Sequence, residues 1–186
     1  MTGPKRETQW VLSAQTGDLQ AFDLLLKSIQ EPLFRYVFNI VRRQHLAEDI
    51  LQEVFIRIYR KLRWLRQAEL FRPWAYRIAS REAFKHLKRE RHWSDQVRDE
   101  LTLETIPAAA IDAPFEPELI QRLPSLIENI SPAGRAVIVL HYLDEMTIED
   151  IAAVLEIPIG TVKSRLSYGL KSLRQQISRE VKANES

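Results

Sequence analysis

"IAAVLEIPIGTVKSRLSYGLKSLR", residues 151–174, holds two helical apolar periodicities, one on each side of a break at Glu156-Ile157-Pro158. The first reaches back to Thr147, a helix cap with Asp150 three residues on, and lines up Ile148, Ile151, Ala152 and Leu155 on one side. The second repeats Val162, Leu166, Leu170, Leu173 and Ile177 at intervals of three and four. The small Ala152 lets the two helices cross closely, so the spacing predicts a helix-turn-helix. Turning about 100° per residue from Val162 places Ser164, Ser167, Tyr168 and Lys171 opposite the buried stripe, with Lys163 and Arg165 on its flanks. A helix about 10–12 Å across fits the DNA major groove and offers such a face to base edges. Ser and Lys can bond base edges, Arg165 and Lys171 can anchor phosphates, and the first-turn amides of Gly160 and Thr161 suit a phosphate oxygen. An ordinary helical hairpin with a solvated polar face is the plainer reading, and it leaves the agreement of turn, alanine and cap unexplained.

Outward from this motif the chain reads as helix after helix. Residues 118–130 form one, and Ser131-Pro132 caps and starts another ahead of Val137, Ile138, Leu140 and Leu143. Nearer the N-terminus, Gly17-Asp18 separates two helices, the second carrying Phe22, Leu25, Leu26 and Ile29; Pro32 is expected to open a further one with Tyr36, Val37, Ile40 and Val41. From Ala47 to Leu62 the apolar set is Ala47, Ile50, Leu51, Val54, Phe55, Ile58 and Leu62, a spacing no strand tolerates. A connection, residues 63–72, leads to a helix from Pro73 to about His92. "TIPAAAIDAPFEP", residues 105–117, has three prolines and cannot sustain a helix. The expectation is an all-α chain of two small helical domains, residues 1–93 and 119–186, joined by a flexible linker, residues 94–118, about which they move independently.

A net charge of +2 hides a strong asymmetry. Residues 1–93 carry 18 Lys and Arg against 10 Asp and Glu, residues 94–118 carry 1 against 7, and residues 119–186 carry 8 of each. A basic domain is thus followed by an acidic strap. Residues 57–91 concentrate the charge, with twelve Lys and Arg against Glu69, Glu82 and Glu90, and with Trp64, Phe71, Trp74, Tyr76 and Phe84 interleaved. On the helix after Pro73, Arg77, Arg81, Phe84 and Lys88 are spaced 4, 3 and 4, a basic stripe with a ring inside it. Single strands expose base faces to such rings at about 1–3 kcal/mol per stacked base, so the composition points to melted DNA. The plainer reading makes Trp74 and Ile78 core and the arginines solubilising charge, and both can hold together. Opposite the apolar stripe of residues 47–62 lie Asp49, Gln52, Glu53, Ile56 and Arg60; an exposed Ile56 framed by charge suggests a docking surface, although singly exposed apolar residues are common and carry little weight alone.

Other classes find little support. There is no cysteine, and the four histidines (His45, His86, His92 and His141) show no spacing that pairs two ligands, so no metal and no cofactor are expected. No Gly-rich phosphate loop, no His-Glu-x-x-His and no carboxylate pair in a plausible pocket is present, so no catalytic residue is assigned. Apolar runs such as Ala136–Leu140 fall far short of the roughly 20 residues of a membrane span, and "MTGPKRETQW" lacks a signal-peptide core. The protein is expected in the cytoplasm, without membrane insertion.

Three motifs together resemble the extracytoplasmic-function group of bacterial RNA polymerase sigma factors, from about Asp18 to Ile177. "AEDILQEVFIRIYRKL" is similar to the family's polymerase-docking helix, "FRPWAYRIASREAFKHLKRER" to its promoter-melting and −10-reading segment, and "MTIEDIAAVLEIPIGTVKSRL" to its −35-reading helix-turn-helix. The resemblance implies a factor that binds polymerase core, directs it to a promoter class and helps open the duplex. It implies that Asp49, Gln52, Glu53, Ile56 and Arg60 meet the clamp coiled coil of the largest subunit, and that the flap is a second contact on the polymerase. It assigns the −10 or melted strand to Arg63, Trp64, Arg66, Phe71, Arg72, Arg77, Arg81, Phe84 and Lys88, with a flipped base held by residues 63–72. The −35 element falls to Gly160, Thr161, Lys163, Ser164, Arg165, Ser167, Tyr168 and Lys171, and the acidic strap to the path toward the active centre and RNA exit. It also admits an anti-sigma partner that covers the docking and DNA faces, and it implies association with the nucleoid through polymerase. Arg81 and Lys85 stand where the family usually has Asn and Asp, and Glu156 stands where it has a turn glycine. The alternative is a stand-alone helix-turn-helix regulator, which needs only the C-terminal half.

Overall fold

The computed structural model describes residues 3–93 and 117–184. Among the described residues every regular element is helical: α1 Gly3–Gln15, α2 Leu19–Val41, α3 Gln44–Lys61, α4 Phe71–Trp93, α5 Pro117–Leu126, α6 Pro132–Tyr142, α7 Ile148–Leu155 and α8 Ile159–Asn184. Two short 3-10 turns, Leu62–Trp64 and Ala68–Leu70, join α3 to α4. The chain divides into two compact units, residues 1–94 and 95–186. The acidic strap lies outside the described residues except for its last two, which open α5.

In the first unit the stop at Gly17 (φ 99°) is followed by Asp18, whose carboxylate accepts from the amides of Gln20 and Ala21 at 2.9 and 3.0 Å. That cap starts α2, which then runs through Pro32 without ending, contrary to the expected new helix. The reason is packing: Leu25, Ile29, Leu33, Tyr36, Val37 and Ile40 form one fully buried stripe across the proline. Each such side chain contributes about 1.5–3 kcal/mol on burial, which outweighs the single backbone bond the proline removes. The helices α3 and α4 pack on α2 and on each other. Small Ala75, Ala79 and Ala83 let α4 approach closely, and Tyr36 and Tyr76 meet edge to face at 5.3 Å. Tyr36 Oη and Ser80 Oγ share a buried hydrogen bond of 2.7 Å.

The second unit is built round α6, whose residues Gly134–Leu140 are all buried. An all-round buried helix needs neighbours on every side, and α5, α7 and α8 supply the second unit's other helices. Ser131 caps α6 by accepting from the Gly134 amide at 3.3 Å, with Pro132 at its first turn. The α5 helix is shorter than residues 118–130; after Leu126 a turn carries Ile127 and Ile130 into the core. Thr147 and Asp150 form the reciprocal cap of α7. Within α7 the most buried residues are Ile151 and Val154, while Ile148, Ala152 and Leu155 are half-buried, because α6 and α8 cover the short helix from two sides. Glu156 ends α7 in the left-handed region at φ 56°, where a glycine would sit without strain.

Candidate nucleic-acid and docking surfaces

The α3 face opposite its buried stripe is presented as a ridge. Asp49, Gln52 and Arg60 are exposed, and Ile56 is 52% exposed among them. Glu53 differs: its Oε1 lies 3.3 Å from His86 Nε2 on α4, and the residue is only half-exposed. Beneath it, Glu82 of α4 is buried, its side chain 6% exposed, and is held by Arg57 Nε and Lys85 Nζ, each at 3.1 Å. Burial pushes the Glu82 carboxyl up, but the Lys85 hydrogen bond and the Arg57 charge outweigh it and leave the group below its ordinary value of 4.5. Glu53, Glu82 and His86 bring their donor atoms within 4.8 Å of one another, a grouping the histidine spacing did not reveal. Both Glu82 oxygens are committed to cations, so the cluster reads as an ion network that joins α3 to α4. The signal for it was in the sequence: an acid at residue 82 continues the apolar positions 75 and 79 on a basic helix, and a charge on a core stripe demands a partner.

Residues 62–70 carry the second feature. The Arg63 guanidinium stacks over the Trp64 ring at 4.0 Å, and Trp64 is 61% exposed. Arg66 is exposed beside them in sequence. Phe71, assigned to the melted strand, is instead fully buried, tilted against Trp74 at 6.1 Å. The 3-10 turn Ala68–Leu70 folds the chain back so that the first residue of α4 plugs the bundle, and a ring there gains more from the core than from solvent. Arg72 is partly committed, its Nε donating to Glu7 Oε2 at 3.0 Å. Along α4, Arg81 and Lys88 are exposed and Arg77 and Phe84 half-buried; the Arg77 Nε is buried and makes no hydrogen bond. The basic stripe is therefore present, with its ring and one arginine set into the surface.

On α8, Lys163 and Lys171 are exposed, Tyr168 is 65% exposed, and Thr161, Ser164 and Arg165 are half-buried. Gly160 is exposed, and its carbonyl accepts from Ser164 Oγ at 2.9 Å. The Thr161 amide is not free for a phosphate, since it donates to the Pro158 carbonyl at 2.9 Å. Ser167 is a correction: it is 4% exposed, and its Oγ has no hydrogen-bond partner. A single apolar stripe underestimates the covered arc, because α5 and α6 as well as α7 pack on α8.

Two positioning residues escaped the sequence reading altogether. Gln15, at the end of α1, donates from Nε2 to the carbonyls of Leu62 and Leu65 at 2.9 and 2.7 Å. Glu7, on the same helix, receives Ser28 as well as Arg72. Polar residues near a helix end carry no periodicity that would announce a partner some fifty positions away.

Comparisons with known proteins bear on the family and the fold. The family model described as "Sigma-70 region 2" matches residues 25–92, and the one described as "Sigma-70, region 4" matches residues 120–173. The ECF RNA polymerase sigma factor SigW of Bacillus subtilis is 30% identical over 176 residues, covering 90% of this chain and 94% of that one. The ECF RNA polymerase sigma-E factor of Escherichia coli K12 is 33% identical over 173 residues, covering 88% and 90%. Among solved structures, CnrH in complex with the cytosolic domain of CnrY superposes with a TM-score of 0.67 at 21% identity, over 94% of this chain and 98% of that one. RpoE from Bartonella quintana, solved with the anti-sigma factor NepR, gives 0.65 at 22%, over 84% and 96%. No described helix is long and apolar enough to cross a membrane.

Proposed function

We propose how the work of promoter opening is divided over this chain, which belongs to the extracytoplasmic-function family of RNA polymerase sigma factors. As a member it binds core polymerase and directs transcription initiation, and it lends promoter choice without catalysing a reaction of its own. A match to region 2 over residues 25–92 leaves no room for a stand-alone regulator.

In our reading, residues 1–93 dock on polymerase and hold melted DNA, and residues 119–186 bind the −35 element. The ridge of Asp49, Gln52, Ile56 and Arg60 meets the clamp coiled coil, with Glu53 a lesser contributor because it is half-buried beside Glu82 and His86 of α4. The stacked Arg63–Trp64 pair, with Arg66, receives an unstacked base, and Arg77, Arg81, Phe84 and Lys88 track the strand. Lys163, Ser164, Arg165, Tyr168 and Lys171 enter the major groove, with Gly160 at its edge. The observation that carries this division is the exposed Ile56 set among charges on the helix whose Arg57 pairs with Glu82 of α4. The factor works in the cytoplasm. A partner of the kind solved with RpoE would silence it by covering the ridge.

The test is to sequence the transcripts that the chain initiates with core polymerase on genomic DNA. The reading expects start sites that share two upstream elements, and loss of those starts with Ile56→Glu while the variant stays folded. Absence of any promoter-specific transcription on every template would defeat it.

A further inference from the structure

We propose that α1 is a splint for the base-reading connection, and that Gln15 is a positioning residue for the melted strand. The inference rests on the assignment of residues 63–66 to an unstacked base. The connection between α3 and α4 has only two 3-10 turns of its own, and such turns are short and poor in hydrogen bonds. Within the first turn the Leu65 amide donates to the Leu62 carbonyl at 3.0 Å. Gln15 then bridges that same carbonyl and the Leu65 carbonyl with one amide group, at 2.9 and 2.7 Å. The bridged carbonyls bracket Arg63 and Trp64, so the bridge pins the backbone that aims the stacked pair. At the far end Glu7, itself buried, holds Arg72 at 3.0 Å, and α1 packs on both turns between these points.

Gln15 lies outside the segment matched to region 2, which begins at residue 25. The part of the chain that orients the reading loop is therefore separate from the part the family model describes. Trp64 is 61% exposed with Arg63 stacked on its ring, and a pair so exposed keeps one orientation best when its backbone is fixed from behind. Two hydrogen bonds from a half-buried donor supply that fixation, each worth several-fold in the population of the ordered loop.

The test measures base selectivity apart from polymerase binding. Holoenzyme assembled from core polymerase and the full chain selects from a pool of short single-stranded DNA with a randomised centre, and the enrichment at each position is sequenced. Gln15→Met keeps the shape and removes the donor; Gln15→Glu sets a charge against two carbonyls; Gln15→Lys restores a donor. The expected result is an enrichment lowered about ten-fold by Met and more by Glu, and largely kept by Lys, with core affinity close to wild type in all three and a urea midpoint lowered only modestly, as the loss of two hydrogen bonds requires. If Gln15→Met selects as the wild type does while Trp64→Ala does not, the splint is wrong and the assignment of the connection survives. If Trp64→Ala also selects normally, the assignment itself fails and takes the splint with it. Equal losses of core affinity and selectivity in Gln15→Met, unrelieved by Lys, would reduce Gln15 to a structural residue and overturn the proposal.

Discussion

His86 Nε2 stands 3.3 Å from Glu53 Oε1, across the packing of α3 on α4. One carboxylate of the docking ridge thus lies against the helix that carries the basic stripe, and the Arg57–Glu82 pair spans the same interface from the other direction. The two surfaces are parts of one rigid packing rather than independent patches.

Glu53 should therefore matter less to polymerase than its neighbours. Ile56→Glu or Asp49→Arg is expected to weaken core binding by at least about 2 kcal/mol, some thirty-fold, whereas Glu53→Ala should cost only a few-fold. Titration of fluorescent factor with core polymerase ranks the three, and an equal loss from Glu53→Ala contradicts the ordering.

Glu82 makes stability depend on pH in a defined sense. Its folded value is depressed by Lys85 and Arg57 against the opposing effect of burial. The unfolded chain therefore binds its proton first as pH falls, and the stabilisation is full above the ordinary value of 4.5 and lost as pH drops through the lower folded value. Glu82→Gln is expected to cost about 2 kcal/mol at neutral pH, the scale of a hydrogen bond to charged groups, with a gap from wild type that narrows below that ordinary value. Urea midpoints of both proteins across this range decide it; a gap that widens with acid reverses the assignment.

Phe71 and Trp64 separate core from surface. Phe71→Ala should lose about 3–5 kcal/mol of stability as a fully buried ring. Trp64→Ala should leave stability within about 0.5 kcal/mol and weaken single-stranded DNA binding by about 1–3 kcal/mol. Chemical unfolding and anisotropy with a labelled oligonucleotide on holoenzyme read the two effects, which should not be interchangeable.

Glu156→Gly removes a side chain from a left-handed backbone at φ 56°. A gain of about 1 kcal/mol is expected, with the same helix-turn-helix geometry and the same −35 affinity. A lower thermal midpoint in the glycine variant would mean that the Glu156 side chain contributes more than its backbone costs.

The helices that pattern alone could locate were those whose stripes are long and one-sided. Val162, Leu166, Leu170 and Leu173 on α8 and Ile50, Val54 and Ile58 on α3 are buried as their spacing requires. The caps at Asp18, Ser131 and Thr147 were equally legible, because a cap is a bond between near neighbours. So were the exposed Ile56 and the strained turn at Glu156.

What the pattern missed depends on which elements meet. Pro32 reads locally as a start, and only the shared stripe of Leu25 to Ile40 shows that the helix continues. Phe71 and Ser167 read as outward until a returning turn and three neighbouring helices cover them. Local sequence determines periodicity and capping, since those interactions span three or four residues. Which polar groups pair over tens of residues, as Gln15 does with Leu62 and Leu65, is decided when packing brings distant backbone within hydrogen-bond reach. That choice belongs to the tertiary structure because a polar side chain gains little from any partner in water and much from one specific partner once water is displaced.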